Sequence, residues 1–381
     1  MADVRAFPAL AYDLARVGDL GAVVAPPYDV IPTEHLPELR ARSSHNVVHL
    51  TRPGDDYQGA AALLETWKAE GVLRSERPAM YLHEVEFDGR RRRDLIAALR
   101  LQPYEDGVVL PHERTHRGPK EDRLALLQAT RTSLEPLWFL YEGKGTTLPG
   151  LLERGFDGRP AAEFEFEGTH HRLWRLEDAG WQDQVREALA ALPVLIADGH
   201  HRYETALAFA DEQGGDADAA SRFTLALLTD LADPGLQVLA THRVLKAGVA
   251  ITGGEQVASL EEMLAALDGK LAAGYYRGGL FHVLQLEGHI AVVELHRQLI
   301  ENILGKRSLE ENVEYTRDPE EAVRWVDEGR GVAAFFLGPP DLAAVLEAAR
   351  AGTTMPQKTT YFHPKPPSGM LFLEQAPERR L

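Results

Sequence analysis

The chain contains no cysteine among its 381 residues. Disulfide bonds, thiolate nucleophiles and cysteine-ligated metal clusters are therefore excluded. It also has no apolar run approaching the roughly 18 residues that a membrane-spanning helix requires. Charges at Asp3, Arg5, Asp13 and Arg16 occupy the segment where a secretory signal would have its apolar core. Together these absences predict a cytoplasmic protein that does not associate with membranes.

Basic side chains are in the minority. The chain has 41 Lys and Arg residues against 58 Asp and Glu residues, which gives a formal net charge of -17. An acidic protein repels the phosphate backbone of nucleic acids, so we do not expect nucleic acid to be its main ligand. The one dense basic run, Arg90 to Arg93, follows Phe87-Asp88-Gly89 and is predicted to be the solvated tip of a hairpin.

The length and composition are those of an ordinary globular protein of two domains, with 44% hydrophobic and 26% charged residues. Helical and strand patterns alternate without strict βαβ regularity, which indicates an α/β fold of the mixed α+β type. We predict two interleaved α/β domains around a shared cleft, residues 1–185 and 186–381. In the second domain the pattern predicts a helix near 255–273.

The most informative segment runs from Val194 to Thr205. Its apolar start predicts a buried strand, Asp198-Gly199 predicts a sharp turn, and Tyr203 to Ala210 predicts an amphipathic helix. The alternative for this turn is that Asp198 is simply the N-cap of the helix and that the basic residues after it are solvated.

A helix start of this composition suits an anion. The first helical turn has unpaired backbone N–H groups and partial positive charge. His200, His201 and Arg202 add side-chain donors there, and Gly199 lets the backbone approach a ligand. We therefore predict a phosphate or carboxylate site with Arg202 partly exposed, and we name Asp198, His200 and His201 as candidate catalytic residues.

A second candidate is His112-Glu113-Arg114-Thr115-His116, which matches the zinc-peptidase pattern H-E-x-x-H. Pro111 and Gly118-Pro119 leave barely two helical turns around it, so we expect no structural zinc. We favour a functional polar loop in which Glu113 is a general base or magnesium ligand. The residues of this loop predicted to bind an anion are His112, Arg114, Lys120 and Arg123.

Two further segments carry candidate residues. In Met355 to Lys365, the side chains of Lys358, Thr359 and Lys365 could line a phosphate site, although a purely structural loop is the alternative. The segment is not a P-loop, because the upstream glycines are missing. Asp29, in the rigid turn Pro26-Pro27-Tyr28-Asp29, is either a site residue or a partner of the backbone.

Six segments together resemble the bacterial and archaeal proteins of domain of unknown function 1015. They are APPYDVI from Ala25, HNVVHL from His45, the PHERT and EDRL pieces from Pro111 and Glu121, ADGHHRYETAL from Ala197, THR from Thr241, and MPQKTTYFHPK from Met355. The strand, the D-G-H-H-R turn and the helix also resemble the nucleotide-binding motif of the ParB and sulfiredoxin-like superfamily, which includes kinases of free serine. That resemblance implies phosphate binding by Gly199, His200, His201 and Arg202.

These observations predict a nucleotide-dependent phosphotransferase that acts on a small metabolite, with a free amino acid such as serine as one candidate. ATP or ADP and Mg²⁺ are the expected nucleotide and metal, because phosphoryl transfer depends on positioning and on neutralising oxygen charge. A phosphohydrolase that uses a metal-activated water is one alternative. A non-catalytic regulator that binds a nucleotide or phosphorylated metabolite is another. The sequence does not predict an oligomeric state.

Overall fold

The structure is a computed structural model that describes residues 1–113, 117–248, 251, 253–305 and 308–381. The chain forms two compact units. The first comprises Met1–Leu110, Thr115–Leu236 and Pro364–Leu381, and the second comprises Pro111–Arg114 and Gln237–His363. Both units contain helices and strands, which confirms the mixed α/β class. The ranges of these two units differ from the predicted domains 1–185 and 186–381. The predicted domain boundary at 185/186 stays a prediction.

The described residues of the first unit form a nine-stranded sheet. Across the sheet the strands are Val109–Leu110, Val194–Asp198, Leu137–Tyr141, Phe223–Asp230, Arg90–Arg100, Met80–Phe87, Thr169–Leu176 and Ala162–Phe166, with Val4–Arg5 beside the end of Arg90–Arg100. Two short strand pairs lie outside this sheet: Leu10–Tyr12 with Leu73–Ser75, and Thr132–Ser133 with Leu373–Glu374.

Helices surround the sheet of the first unit. They are Leu14–Val17, Leu20–Val23, Leu36–Arg42, Val48–Thr51, Tyr57–Ala69, Arg117–Thr130, Leu148–Gly155, Ala179–Ala190 and His200–Gln213, with 3₁₀ turns at Tyr28–Val30, Thr33–His35, Tyr104–Asp106 and Ala220–Arg222. The central strands Leu137–Tyr141 and Phe223–Asp230 are almost entirely buried. Their nearly continuous apolar sequences are typical of strands that are covered on both faces.

Strand pairing determines which residues meet near the D-G-H-H-R turn. Val194–Asp198 pairs with Leu137–Tyr141 in the antiparallel sense, and Asp198 lies opposite Trp138. The end of one antiparallel strand lies beside the start of its neighbour. Glu135, two residues before Leu137, is therefore brought to the same edge of the sheet as Asp198.

The prediction for the basic run is wrong for Arg92, and Arg93 is half-buried rather than fully solvated. The turn lies at Asp88-Gly89, and the strand begins at Arg90, so Arg92 belongs to the sheet and is fully buried. Arg92 Nε donates to Asp94 Oδ1 at 3.0 Å, and its guanidinium lies 4.2 Å from the centre of the Trp138 ring. Successive strand residues point to opposite faces, so one arginine of the run faces the core while Arg91 faces solvent.

The described part of the second unit has a six-stranded antiparallel sheet. Across the sheet the strands are Glu255–Val257, Leu280–Gln285, Ala272–Arg277, Ala333–Phe336, His242–Leu245 and Val313–Thr316. A separate pair joins Gln237–Leu239 to Tyr361–His363. Its helices are Leu260–Leu267, Ala291–Leu295, Glu301–Leu304, Leu309–Asn312, Pro319–Asp327 and Leu342–Arg350, with a π-helical turn at His296–Ile300. Apolar clusters cover both faces of the sheet.

The helix predicted near 255–273 is wrong in length. Only Leu260–Leu267 is helical, with Ser259 as its N-cap, and the flanks are strands. Gly269 has a φ of +62°, which ends the helix in a turn. The following Tyr275 and Tyr276 favour a strand, because aromatic residues pack well on a sheet.

None of the described helices combines the length and the apolar character that crossing a membrane would require.

Candidate functional site

The D-G-H-H-R turn has the strand, turn and helix that its sequence predicts. The strand ends at Asp198, Gly199 is the N-cap residue, and the helix runs over His200–Gln213. Gly199 has a φ of +99°, and a Cβ there would lie 2.7 Å from Leu137 Cδ2. A side chain is therefore disfavoured both by the backbone conformation and by the lack of space.

The structure contradicts the alternative in which Asp198 is a simple N-cap. Gly199, and not Asp198, is the N-cap residue of the helix. The Asp198 carboxylate instead accepts a hydrogen bond from Arg202 Nη2 at 2.7 Å and another from Lys365 Nζ. Lys365 Nζ also lies 3.6 Å from Asp29 Oδ2. Four of the predicted site residues thus form one ion-pair network in the first unit.

Glu135 completes this network and was not predicted. Its carboxylate lies 3.7 Å from Arg202 Nη1, and it accepts hydrogen bonds from Tyr28 N at 2.9 Å and Ser368 Oγ at 2.7 Å. The one signal in the sequence was an acidic residue directly before the apolar segment PLWFLY. That signal is weak, because an acidic residue at a strand start is usually solvated.

Arg202 is held more firmly than its sequence position suggests. Its side chain is only 12% exposed, and Nη1 donates to the Pro136 carbonyl at 3.0 Å. Burial by itself lowers the pKa of Arg202, but the carboxylates of Glu135, Asp198 and Asp29 outweigh burial and raise it. The guanidinium is therefore a permanent cation in contact with acidic groups, and it helps to position Asp198.

The Asp29 turn lies against this network. Tyr28–Val30 is a 3₁₀ turn, and the Asp29 side chain is 34% exposed. Burial, with a contribution from the Asp29 carboxylate, raises the pKa of Tyr28 to about 12, so its hydroxyl stays protonated at neutral pH.

Lys120 and Arg123, two of the residues predicted to bind an anion, lie in the helix Arg117–Thr130 of the first unit. Arg123 is buried: Nη1 donates to the Thr51 carbonyl at 2.8 Å, and the guanidinium lies 4.1 Å from the Tyr28 ring centre. Lys120 forms an ion pair with Glu204. Arg123 thus contacts the tyrosine that neighbours Asp29, whereas Lys120 contacts the helix that begins at His200.

The two histidines of the turn differ in burial. His200 is buried and His201 is half-buried in the first turn of the helix. A cavity of about 60 Å³ lies on the side of Arg202 that faces Arg123, Glu135 and Thr205. A space of this size holds a few water molecules. A nucleotide would therefore have to approach the turn from elsewhere.

The other predicted site residues lie in the second unit. Glu113 accepts a hydrogen bond from Thr359 N at 3.0 Å and a longer one from Thr360 N at 3.5 Å. His112 is buried, with Nε2 at 2.8 Å from Thr360 Oγ1. The two segments PHE and MPQKTT are thus in direct contact, although 246 positions separate Glu113 from Thr359.

Lys358 and Thr359 lie in the turn that Glu113 supports. Lys358 has a φ of +55°, which is uncommon for a residue with a side chain, and its carbonyl accepts from Arg243 Nη2 at 2.8 Å. Thr359 Oγ1 donates to the Pro356 carbonyl at 2.5 Å. These contacts hold the turn rigidly; binding of phosphate by Lys358 and Thr359 stays a prediction.

The rest of the H-E-x-x-H match cannot be placed. Arg114 and His116 lie outside the described residues, so the predicted role of Arg114 and the expectation of no zinc both stay predictions. Within the described ranges, no group of three or more His, Asp or Glu side chains is arranged to hold a metal ion.

Comparison with known proteins identifies the family. Residues 4–315 match the family described as protein of unknown function, DUF1015. The chain belongs to this family. The resemblance of the six sequence segments to this family is thereby confirmed. A search of curated proteins returns no match.

Solved structures with a similar chain path share little sequence with this protein. A free serine kinase mutant in complex with ADP is 16% identical, with 67% of this chain and 84% of that chain covered and a TM-score of 0.39. A conserved hypothetical protein from Pyrococcus furiosus is 15% identical, with coverages of 67% and 87% and a TM-score of 0.38. SbnI with a C-terminal truncation, from Staphylococcus aureus, is 11% identical, with coverages of 74% and 87% and a TM-score of 0.35. At TM-scores below 0.5 these likenesses carry no weight for the function of this chain.

Proposed function

We propose that this protein is a nucleotide-dependent phosphotransferase acting on a small metabolite, and that the phosphates of ATP or ADP bind at the start of helix His200–Gln213. The observation that carries the proposal is Gly199. Its left-handed backbone turns the chain from the strand into the helix, and Arg202 Nη2 lies 3.2 Å from the point where a Cβ would stand, so a cation adjoins the helix start. The positive end of the helix dipole favours an anion at that point.

The charges around the turn are suited to a nucleotide and its magnesium ion. Asp29 and Asp198 both lie near Lys365 Nζ, so two carboxylates already share one cation. Carboxylate oxygens are ligands that Mg²⁺ accepts, and Mg²⁺ neutralises nucleotide phosphates when bound. In the proposed complex these two carboxylates hold the ion, and Lys365 and Arg202 bind phosphate oxygens.

Candidates for the general base remain those that the sequence predicted. Asp198 contacts two cations, Arg202 and Lys365. Glu113 lies in the second unit, where it accepts hydrogen bonds from Thr359 N and Thr360 N, and its part as a base stays a prediction. A carboxylate can accept the proton of an acceptor hydroxyl, and Asp198 would take this part if Asp29 alone holds the ion.

The proposal is tested by turnover and binding with the full chain. We expect ATP or ADP with Mg²⁺ to support transfer of a phosphoryl group to a hydroxyl metabolite, with serine as the first acceptor tried and ³¹P NMR as the readout. Arg202→Ala should weaken nucleotide binding tenfold or more, because a charge-assisted hydrogen bond to phosphate is lost. Arg202→Lys should restore part of the affinity.

Arg186→Ala is the matched control for Arg202, because Arg186 is an exposed arginine of the same unit that pairs with Asp183 at 2.9 Å. Its nucleotide affinity should equal that of the wild type. Release of free phosphate in the absence of any acceptor would show that the protein is a phosphohydrolase and not a phosphotransferase. Absence of nucleotide binding by calorimetry would overturn the proposal as a whole.

A further inference from the structure

Arg243 is a fully buried arginine in the strand His242–Leu245 of the second unit. Its guanidinium donates to three backbone carbonyls: that of Thr241, that of Gln357 at 3.3 Å and that of Lys358 at 2.8 Å. Nε has no hydrogen-bond partner among the described residues. No carboxylate in that part of the chain lies within ion-pairing distance of it either.

A buried cation without a counter-ion is unfavourable. Carbonyl dipoles compensate part of the lost hydration, but a buried charge is normally paired with an opposite one. Burial lowers the pKa of Arg243 to about 10, and the opposing effects of Tyr315 and Glu113 are smaller than that of burial. Arg243 is still protonated at neutral pH, so it carries a positive charge that no carboxylate of the described residues pairs with directly.

Arg243 lines a cavity of about 230 Å³ within the second unit. Thr241 lines it too, and its buried Oγ1 has no partner among the described residues. Other polar residues in the lining are Lys270, His289, Asp341 and Thr359. Asp341 is engaged as the N-cap of helix Leu342–Arg350, where its carboxylate accepts from Ala343 N at 2.9 Å. Two buried donors with unmet hydrogen bonds thus adjoin one space.

We propose that this cavity is a binding site for an oxyanion, the carboxylate or phosphate group of a small molecule, with Arg243 and Thr241 as its ligands. The anion supplies the counter-charge that Arg243 lacks and accepts from both buried donors. Exposed Lys270 adds positive charge at the cavity. The volume is several times what one water molecule needs, so a phosphate or a short carboxylic acid fits. The site is independent of the nucleotide site proposed at Gly199.

The test measures binding of inorganic phosphate and of acetate, each alone, to the full chain by calorimetry. The Arg202→Ala background removes the proposed phosphate ligand of the first unit. In that background we expect one anion site to persist, and Arg243→Gln to weaken it tenfold or more. Glutamine retains donors for the backbone carbonyls but carries no charge. Thr241→Val removes one hydroxyl at similar volume and should weaken binding severalfold. This variant tests the site if Arg243→Gln does not fold.

Arg330→Gln is the matched control, because Arg330 is an exposed arginine of the same unit that pairs with Glu314 at 2.6 Å. It should leave anion affinity unchanged. Comparison of phosphate with acetate separates the two sources of the oxyanion. If neither phosphate nor acetate binds the Arg202→Ala variant, the site does not exist. The same conclusion follows if Arg243→Gln and Thr241→Val, each added to Arg202→Ala, both leave the anion affinity unchanged. Loss of nucleotide binding in Arg202→Ala alone would concern the proposed function and not this cavity.

Discussion

Lys365 forms an ion pair with Asp198, although 167 positions of sequence separate them. The ammonium group comes from the last segment of the chain and the carboxylate from the end of the strand Val194–Asp198. The same ammonium lies 3.6 Å from Asp29, near the start of the chain. The geometry at the D-G-H-H-R turn therefore depends on three distant segments of one folding unit.

Replacement of Lys365 by methionine should weaken both the fold and the proposed nucleotide site. The Lys365 side chain is only 8% exposed, so its loss leaves Asp29 and Asp198 with less compensating charge, at about 1–3 kcal/mol of unfolding free energy. We expect at least a tenfold loss of Mg²⁺-ADP affinity by calorimetry. Lys144→Met, at an exposed lysine of the same unit, is the control. Unchanged affinity in Lys365→Met would show that this lysine is structural alone.

Replacement of Gly199 by alanine should destabilise the protein for two reasons that a control can separate. The left-handed φ of +99° costs about 1 kcal/mol for a residue with a Cβ, and the contact with Leu137 adds a steric term. Gly145→Ala carries the first cost alone, because Gly145 has a φ of +84° and nothing within 4 Å of a built Cβ. Urea unfolding should show a larger loss for Gly199→Ala. Equal losses would mean that the turn adapts to a side chain.

Acid should destabilise the second unit through His296. Burial, with a contribution from the charge of Arg243, lowers the pKa of His296 to about 3, and neither ring nitrogen has a hydrogen-bond partner among the described residues. The unfolded chain has an ordinary histidine pKa near 6.5. Just below that pH, His296 is protonated in the unfolded chain but stays neutral in the folded protein. The free energy of unfolding is therefore highest above pH 6.5 and decreases as the pH falls. The contribution of this residue to the decrease between pH 7 and pH 5 is about 2 kcal/mol.

His296→Phe tests this, because phenylalanine fills a similar volume and does not titrate. The variant should lose about 2 kcal/mol less than the wild type between pH 7 and pH 5, measured by urea unfolding at each pH. It should also be no less stable at pH 7, since no hydrogen bond to a described residue is removed. A pH dependence equal to that of the wild type would show that His296 is protonated in the folded protein.

Local sequence was sufficient to predict the turn that carries the proposed function. The apolar run before Asp198, the glycine at 199 and the helical pattern after it are short-range signals, and the strand, turn and helix form as they predict. The mixed α/β class followed from the same kind of periodicity. The predicted length of the helix near 255–273 failed, because glycine turns and strand-forming tyrosines override helical spacing.

Only the tertiary structure decided which charges meet. Glu135 gave almost no signal, yet antiparallel strand pairing brings it to the edge where Asp198 and Arg202 lie. Arg92 belongs to the basic run that was predicted to be solvated, and no local pattern predicted that Arg243 is buried, yet both are fully buried. These ion pairs and this burial depend on contacts between distant segments, such as Arg202 with Pro136, 66 positions apart, and Lys365 with Asp198, 167 positions apart. Chain periodicity carries no information about such contacts, because many pairings of the same strands satisfy the same local pattern.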